Sequence, residues 1–369
     1  MTLRHVRGAV FTGPGERLAI EKLILDAPGR GEVLVRMLAS GVCRSDLHVV
    51  DGEWERPAGV VLGHEGAGVV EALGEDVQGL AVGQLVVLAW IAPCTRCSLC
   101  VRGESWLCTD PRGAGHRLTA DLVRLRRGDG TAMGVYSGIG TFGSAQVVAA
   151  EAAVPVDPRM PPRIAALIGC AVTTGVGAVV NTAHVKPGGS VVVIGAGGVG
   201  LSAIMAARMT GADPLIAVDS VPAKLALSLQ AGATDALLVG DAAKVIAGLH
   251  GGGADHVLEA IGMAGTIESA IDWTRRGGTT TLIGMTPQRE RAALDVYPFV
   301  EAGQRLLGSN YGSAVPARDF PLICSWYLEG RLPLDLLVTE TIALEEVDAA
   351  LGAMRRRDGA RRVIIHTDP

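Results

Sequence analysis

The chain has 369 residues, a net charge of −5 and 49% hydrophobic residues. That length exceeds the size at which single cores usually stop growing, so two domains are expected, and the mild charge excludes the basic footprint of a nucleic-acid-binding protein. The start, M-T-L-R-H-V-R-G-A-V, lacks an apolar signal stretch, and the longest apolar region, 191–207, is interrupted by glycines; no membrane span and a cytoplasmic location with reduced cysteines are therefore expected.

From the amino end to about residue 150, short apolar runs punctuated by glycine stand at 32–38, 60–62, 68–72, 84–88 and 145–149. Few long helical patterns occur, so this region is predicted to be mainly β. From about 165 the texture changes. Apolar runs at 191–194, 215–218, 236–239, 256–258 and 280–283 alternate with helical stretches, which predicts a parallel sheet with helices on both faces. After about 310 the pattern is mixed and ends on a strand-like run at 362–366. Glycine, 50 of 369 residues and without a period, fits many tight turns. The stretch 124–127 and the run Arg355, Arg356, Arg357 read as solvated surface.

Cysteine is scarce, seven in all, yet four stand in P-C-T-R-C-S-L-C-V-R-G-E-S-W-L-C: Cys94, Cys97, Cys100 and Cys108. Thiolates at these spacings suit a tetrahedral Zn2+, with Zn–S bonds of about 2.3 Å. Four thiolates close the shell, so such a zinc is structural. Two other readings stand beside it. A disulfide pair needs an oxidising compartment. An iron–sulfur cluster matches C-x2-C-x2-C, but a ferredoxin run continues with cysteine after about three residues and then proline, where this chain has Cys108 later and then Thr109.

The run 191–194 leads into Gly195-Ala196-Gly197-Gly198-Val199-Gly200, a G-x-G-x-x-G, followed by an Ala-rich helical stretch to about 210, a strand-like run at 215–218 and Asp219. Strand before, helix after and an acid at the end of the next strand make this a dinucleotide turn rather than an ordinary glycine-rich one. Gly195 permits the tight turn, Gly197 the approach of backbone to pyrophosphate, and Gly200 close packing of helix on strand; the helix N-terminus offers N–H groups to the phosphates. Asp219 would accept the ribose hydroxyls and repel a 2′-phosphate, which favours NAD over NADP. Lys224 either reaches the same ribose or is a plain surface lysine.

Cys43, Cys170 and Cys324 remain. Cys43 opens C-R-S-D-L-H and His64 opens H-E-G-A-G. A catalytic zinc takes three protein ligands and keeps one position open, and a Cys2His set, the one known from alcohol dehydrogenase, is among those that do this. Cys43, His64 and Cys170 would supply such a set; taken alone they read first as buried small residues and a satisfied core histidine.

With C-R-S-D-L-H at 43–48, G-H-E-G-A-G at 63–68, the four-cysteine lobe at 94–108, G-C-A-V-T-T-G at 169–175 and G-A-G-G-V-G at 195–200, the chain resembles the zinc-containing medium-chain alcohol dehydrogenases over essentially its whole length. The resemblance implies an α/β fold: a Rossmann-type doubly wound parallel sheet (166–311) plus a mainly β, GroES-like catalytic domain (1–165 and 312–369) that carries the structural zinc lobe at about 91–111. It implies Cys43, His64 and Cys170 as catalytic zinc ligands, with Glu65 a carboxylate near the metal. It implies Ser45 as the hydroxyl that bonds the alcohol, His48 as the histidine that passes the proton to solvent, and Asp46 as the carboxylate that holds the His64 ring. Arg44 and Arg362 match cations on the coenzyme pyrophosphate, and Thr174 lies in a motif that contacts coenzyme. Trp54, Trp90 and Met285 fall where substrate-pocket side chains sit, or are ordinary core.

The chemistry implied is zinc-assisted hydride transfer between NAD(H) and a primary or aryl alcohol or aldehyde, with two zinc ions per chain. Arg44, Ser45 and His48 match the ordinary alcohol-oxidising version of the first motif, where members acting on thiol adducts of formaldehyde often carry His, Thr and Tyr. The strings T-T-G-V-G-A-V-V-N and G-R-L-P-L-D-L-L-V-T also resemble both aryl-alcohol dehydrogenases and thiol-dependent formaldehyde dehydrogenases, the latter standing as the alternative. A zinc-stabilised NAD(H)-binding protein without turnover is a third reading. A segment between Cys108 and Cys170 of the kind found in dimeric members implies a homodimer, with a tetramer as the other expected assembly.

Overall fold

The structure, a computed structural model, describes residues 4–111, 123–356 and 361–367. Residues 112–122, part of the segment that resembles dimeric members, and Arg357 of the arginine run lie outside the described residues. The chain divides into two compact units, Met1–Cys170 with Val315–Leu328 and Val338–Pro369, and Ala171–Ala314 with Glu329–Leu337.

In the first unit two sheets share the early strands' apolar residues. Arg4–Phe11, Ala19–Leu25, Leu125–Arg126, Ala132–Val135 and Val60–Val61 close into a barrel, which leaves no open edge. A seven-stranded sheet runs in the order Ala153–Pro155, Leu85–Leu88, Glu65–Leu73, Glu32–Gly41, Arg362–Ile365, Glu340–Ile342, with Ala145–Ala149 also pairing with Glu32–Gly41. Glu32–Gly41 is its spine. Its register sets Gly41 opposite Glu65 on one side and opposite Val363 on the other, which brings the chain's last strand beside the H-E-G motif.

The sequence pattern omits Arg4–Phe11 and Ala19–Leu25 because charged residues interrupt both. Period-2 alternation still places Val6, Val10, Leu23 and Leu25 in the core. The 124–127 stretch is not simply solvated. Leu125 is buried on a short strand, while Arg124, Arg126 and Arg127 pair with Glu32 (2.7 Å), Asp26 (3.4 Å) and Glu21 (2.7 Å).

The second unit is built on a six-stranded parallel sheet: Asp235–Leu238, Leu215–Asp219, Val191–Ile194, Ala254–Glu259, Thr274–Leu282, Arg305–Gly308. In chain order this is 3-2-1-4-5-6, the doubly wound arrangement whose order reverses beside the first strand. The four residues of Val191–Ile194 and the five of Leu215–Asp219 are all buried, as expected of strands covered on both faces. Helix Gly198–Met209 presents eight buried residues, mostly small and apolar.

The helical run Pro162–Thr182 is long and apolar enough to cross a membrane, but 78% of its apolar window is buried inside the protein, as in the core helix of a globular fold. It contains π-helical turns at Ile168–Val172 and Ala178–Thr182, and the division between the two units falls within it, after Cys170.

Gly177, on this run, lies against the backbone of Gly312. An added Cβ would stand 2.2 Å from the Gly312 carbonyl oxygen. Alanine favours a helix by about 1 kcal/mol over glycine, whereas forcing backbone apart in a packed core costs about 1–3 kcal/mol. Gly177→Ala is therefore expected to lower the thermal unfolding midpoint despite its better helix propensity; an unchanged or raised midpoint would show that the contact is slack.

Candidate functional site

Cys43 precedes the helix Arg44–Val50 in an extended conformation, and Asp46 occupies the third helical position. Asp46 is fully buried. Its Oδ2 accepts the Cys43 backbone N–H at 3.2 Å, and its Oδ1 accepts both the Gly63 N–H at 3.2 Å and His64 Nδ1–H at 3.0 Å. One carboxylate thus ties the loop before the helix to the loop before the strand Glu65–Leu73. Burial pushes the Asp46 carboxyl up from its ordinary value, and the neighbouring His64 opposes that shift. The turn into His64 needs glycine: Gly63 has φ +87°, and a Cβ there would lie 2.5 Å from the Phe142 backbone nitrogen.

With Nδ1 committed to Asp46, His64 Nε2 is buried and has no hydrogen-bond partner among the described residues. One donor atom from each of Cys43, His64, Glu65 and Cys170 lies within 4.8 Å of all the others. Cys170 comes from the π-helical turn Ile168–Val172, an irregularity often found at functional sites. A shared hydrogen bond holds the Cys43 thiol well below its ordinary value and, together with burial, Cys170 well above. Burial lowers the His64 pKa, but Asp46 and the two cysteines outweigh it and hold the imidazole well above its usual range. Two sulfurs and an imidazole nitrogen aimed among them are the donor set of a zinc site with an open position.

Glu65 is buried, and burial pushes its carboxyl up to about 7 against the pull of Arg361. Arg361 Nη2 donates to Glu65 Oε2 at 2.6 Å. The arginine beside the metal ligands is Arg361, whereas Arg362 bonds Glu340 at 2.7 Å. Successive strand residues face opposite sides, so neighbouring arginines of one string take separate partners. Tyr136, to which the sequence gives no role, sets its ring edge against His64 (centroids 5.5 Å apart, planes at 74°), and burial pushes its hydroxyl up to about 12.

Ser45 is half-buried and Arg44 exposed at the start of the same helix. His48, farther along it, is buried, with Nδ1 bonded to Glu53 and its ring stacked on Trp54 at 4.7 Å. Of the three expected pocket residues, Trp54 is packed in the core with Leu47 and Val50, Trp90 is half-buried against a second core cluster, and Met285, in the other unit, is 61% exposed.

Cys94, Cys97, Cys100 and Cys108 form a second cluster with all four sulfurs within 4.8 Å of one another. The pairs Cys94–Cys100 and Cys97–Cys108 are each 4.0 Å apart, too far for a disulfide bond and close to the edge of a tetrahedron with bonds of about 2.3 Å. A multi-iron cluster would spread the sulfurs more widely. Backbone N–H groups point at the sulfurs from Cys94 (3.3 Å to Cys108), Cys97 (3.3 Å to Cys94) and Cys100 (3.5 Å to Cys97). The N–H of Cys100 draws the Cys97 thiol down to about 5, while burial beside the other sulfurs pushes Cys100 up to about 12. A divalent ion bound among four thiolates would offset this crowding of sulfur charge.

In the second unit, Gly195 has φ +96°, and a Cβ on Gly200 would lie 1.7 Å from the Gly195 carbonyl oxygen, whereas the same atom on Gly197 would meet open space. The turn is thus tight on its packed side and open where Gly197 starts the helix Gly198–Met209. Thr174 is half-buried beside Gly175, whose backbone approaches that of Val199. Asp219 accepts the Ala196 N–H at 2.8 Å and the Val221 N–H at 2.9 Å, and Lys224 Nζ is 3.8 Å from it. The acid at the second strand's end is therefore anchored to the glycine turn itself.

Two family profiles match the chain: "Alcohol dehydrogenase GroES-like domain" over residues 29–158 and "Zinc-binding dehydrogenase" over 198–328. An S-(hydroxymethyl)glutathione dehydrogenase of Synechocystis sp. is 34% identical over 97% of this chain and 99% of its own. An alcohol dehydrogenase zinc-binding domain protein from Burkholderia ambifaria superposes with a TM-score of 0.94 at 34% identity, covering 99% of both chains. Benzyl alcohol dehydrogenase from Acinetobacter calcoaceticus does so at 0.92 and 30%, over 98% of this chain and 99% of that one. With this likeness running from end to end, and with both cysteine clusters and the dinucleotide turn in place, the chain belongs to the zinc-dependent medium-chain alcohol dehydrogenase family.

Proposed function

We propose that this chain oxidises primary or aryl alcohols to aldehydes, and reduces the aldehydes, with NAD(H) as hydride carrier. The observation that carries the reading is the cluster of buried Cys43 and His64 with half-buried Cys170, in which His64 Nε2 has no hydrogen-bond partner among the described residues. Bound there, zinc supplies Lewis acidity that lowers the pKa of a hydroxyl. Asp46 orients the donor by holding His64 Nδ1–H. Ser45 accepts the substrate's proton and His48 delivers it to solvent. Arg361 keeps Glu65 paired beside the ligands. Arg44 and Arg362 are assigned to the coenzyme pyrophosphate, the open face at Gly197 to the phosphates, and Asp219 to the adenosine ribose. Trp54, Trp90 and Met285 remain the proposed pocket side chains.

The substrate reading is supported by Arg44, Ser45 and His48 in the first motif and by the likeness to benzyl alcohol dehydrogenase. A second reading, oxidation of a thiol adduct of formaldehyde, is supported by the named activity of the Synechocystis relative. A binder without turnover would have no need of the Ser45–His48 relay. We take the assembly to be a homodimer in the cytoplasm, where its seven free cysteines suit a reducing compartment.

A substrate panel followed by NADH absorbance separates the two activities. Benzyl and other primary alcohols are expected to turn over without added thiol; formaldehyde oxidation that depends on glutathione and exceeds every alcohol would instead establish the second reading. Cys43→Ala should halve a metal content of about two zinc per chain and abolish turnover, with NADH fluorescence titration unchanged; retained activity would refute the ligand assignment. Cys94→Ser should also lose one zinc but act through a lower unfolding midpoint, and selective loss of catalysis in a fully folded variant would reverse the division between the clusters. Asp219→Gly should narrow the kcat/KM preference for NAD over NADP by roughly tenfold, or about 1.4 kcal/mol; an unchanged ratio would remove Asp219 from coenzyme selection.

A further inference from the structure

We propose that Glu53 is a positioning residue for His48. Its carboxylate fixes the imidazole as the Nδ1–H tautomer and leaves Nε2 as the atom that takes up the departing proton. The inference rests on the relay role given to His48 above and adds to it a residue to which the sequence motifs assign nothing.

The local chain is folded to make this contact. The helix Arg44–Val50 ends at Asp51, whose N–H still reaches the Leu47 carbonyl at 2.8 Å. Gly52 then turns the chain with φ +76°. Beyond it the backbone doubles back, and the N–H groups of both Glu53 (2.9 Å) and Trp54 (3.1 Å) donate to the His48 carbonyl. The same turn delivers both side chains to one ring. Glu53 Oε2 meets the ring edge at Nδ1, and the Trp54 indole covers the ring face with centroids 4.7 Å apart and planes at 21°. Trp54 is itself held in the core beside Leu47 and Val50, so the ring plane is set as well as its edge. Asp51, the other acid of the turn, is engaged by Arg355 and does not compete.

A carboxylate only accepts hydrogen bonds, so the proton between the two groups belongs to Nδ1 and the lone pair to Nε2. When Nε2 takes a proton the ring becomes imidazolium, and its Nδ1–H bond to Glu53 becomes charge-assisted on both sides. Release of the Nε2 proton to water restores the starting tautomer. With no partner at Nδ1 the ring would be free to place its proton on Nε2, which blocks uptake there.

The test uses the zinc-loaded enzyme with Glu53→Ala and the near-isosteric Glu53→Gln, each alone and in a His48→Ala background. Glu53→Ala is expected to lower kcat roughly tenfold, the scale of loss when the partner that orients a functional histidine is removed, with KM for the alcohol nearly unchanged. Glu53→Gln should recover part of the loss, since its amide oxygen still accepts from Nδ1–H. In the His48→Ala background Glu53→Ala should cost nothing further. Nitrogen-15 NMR of histidine-labelled protein reads the tautomer independently of turnover: His48 should be protonated at Nδ1 in the native enzyme and should populate the Nε2–H form in Glu53→Ala. Losses that multiply in the double variant, or an Nε2–H tautomer in the native enzyme, would overturn the proposal. If His48→Ala itself left kcat intact, the relay reading would fall, and the tautomer shift would still decide what Glu53 does.

Discussion

The buried carboxylate of Asp46 accepts three hydrogen bonds, and the three come from different places that matter: the backbone of Cys43, the backbone of Gly63 and the ring of His64. Leaving a buried donor unpaired costs about 1–3 kcal/mol, so loss of this one side chain strands three groups at once, against the roughly 0–1 kcal/mol of an exposed ion pair such as Arg30–Asp76. The weight of the interaction is nevertheless geometric. It sets the distance between the strand Glu32–Gly41, which feeds Cys43, and the strand Glu65–Leu73, which follows His64, and it selects the tautomer that turns Nε2 toward the cysteines.

Around that anchor the charges make sense only with a cation among them. Cys43, Cys170, Glu65 and Asp46 are acids in one buried volume, and the basic groups facing them are His64 and Arg361. The hydrogen bond between Cys43 and Cys170 holds the Cys43 thiol low and the Cys170 thiol high, the surrounding acids hold His64 high, and burial pushes the Glu65 carboxyl up to about 7. A divalent ion would suit this set, since thiolate and neutral imidazole are the ligating forms. The four-cysteine lobe follows the same logic at lower burial, with backbone N–H groups taking part of the sulfur charge. Four thiolates close its coordination shell and leave no open position, which makes its role mechanical.

What the sequence displays depends on how local each feature is. The glycine turn, the four-cysteine lobe and the parallel strands around residues 191–218 are written in contiguous strings, because tight turns and close approaches need particular residues at fixed short spacings. The pairing of Asp46 with His64 spans the gap between two motifs, and only the family resemblance exposes it. Three features lay beyond either reading. Arg361 rather than Arg362 meets Glu65 because the register of the last strand, with Val363 opposite Gly41, decides which arginine faces the cluster. Tyr136 reaches His64 from a short 3-10 turn far along the chain. Glu53 reaches His48 through a left-handed glycine whose conformation no periodicity reveals. The first two are consequences of strand register and long-range packing, and the third of one backbone dihedral.

The coenzyme side shows the same economy of anchoring. Asp219 is usually considered as a selector, an acid that welcomes ribose hydroxyls and repels a phosphate. Here one of its oxygens is already bound to the Ala196 N–H, inside the glycine turn, and the other to the Val221 N–H. Each carboxylate oxygen keeps a further lone pair, so ribose recognition does not compete with these bonds. The consequence is that the residue proposed to distinguish NAD from NADP also fixes the glycine turn proposed to hold the phosphates. On the proposed roles, selection and positioning are coupled, and a substitution at Asp219 that removes its acceptor would also release the Ala196 N–H. A replacement that retains an acceptor for the Ala196 N–H, such as serine or asparagine, should therefore change preference with a smaller loss of coenzyme affinity than glycine does, because it relieves the repulsion without releasing the turn.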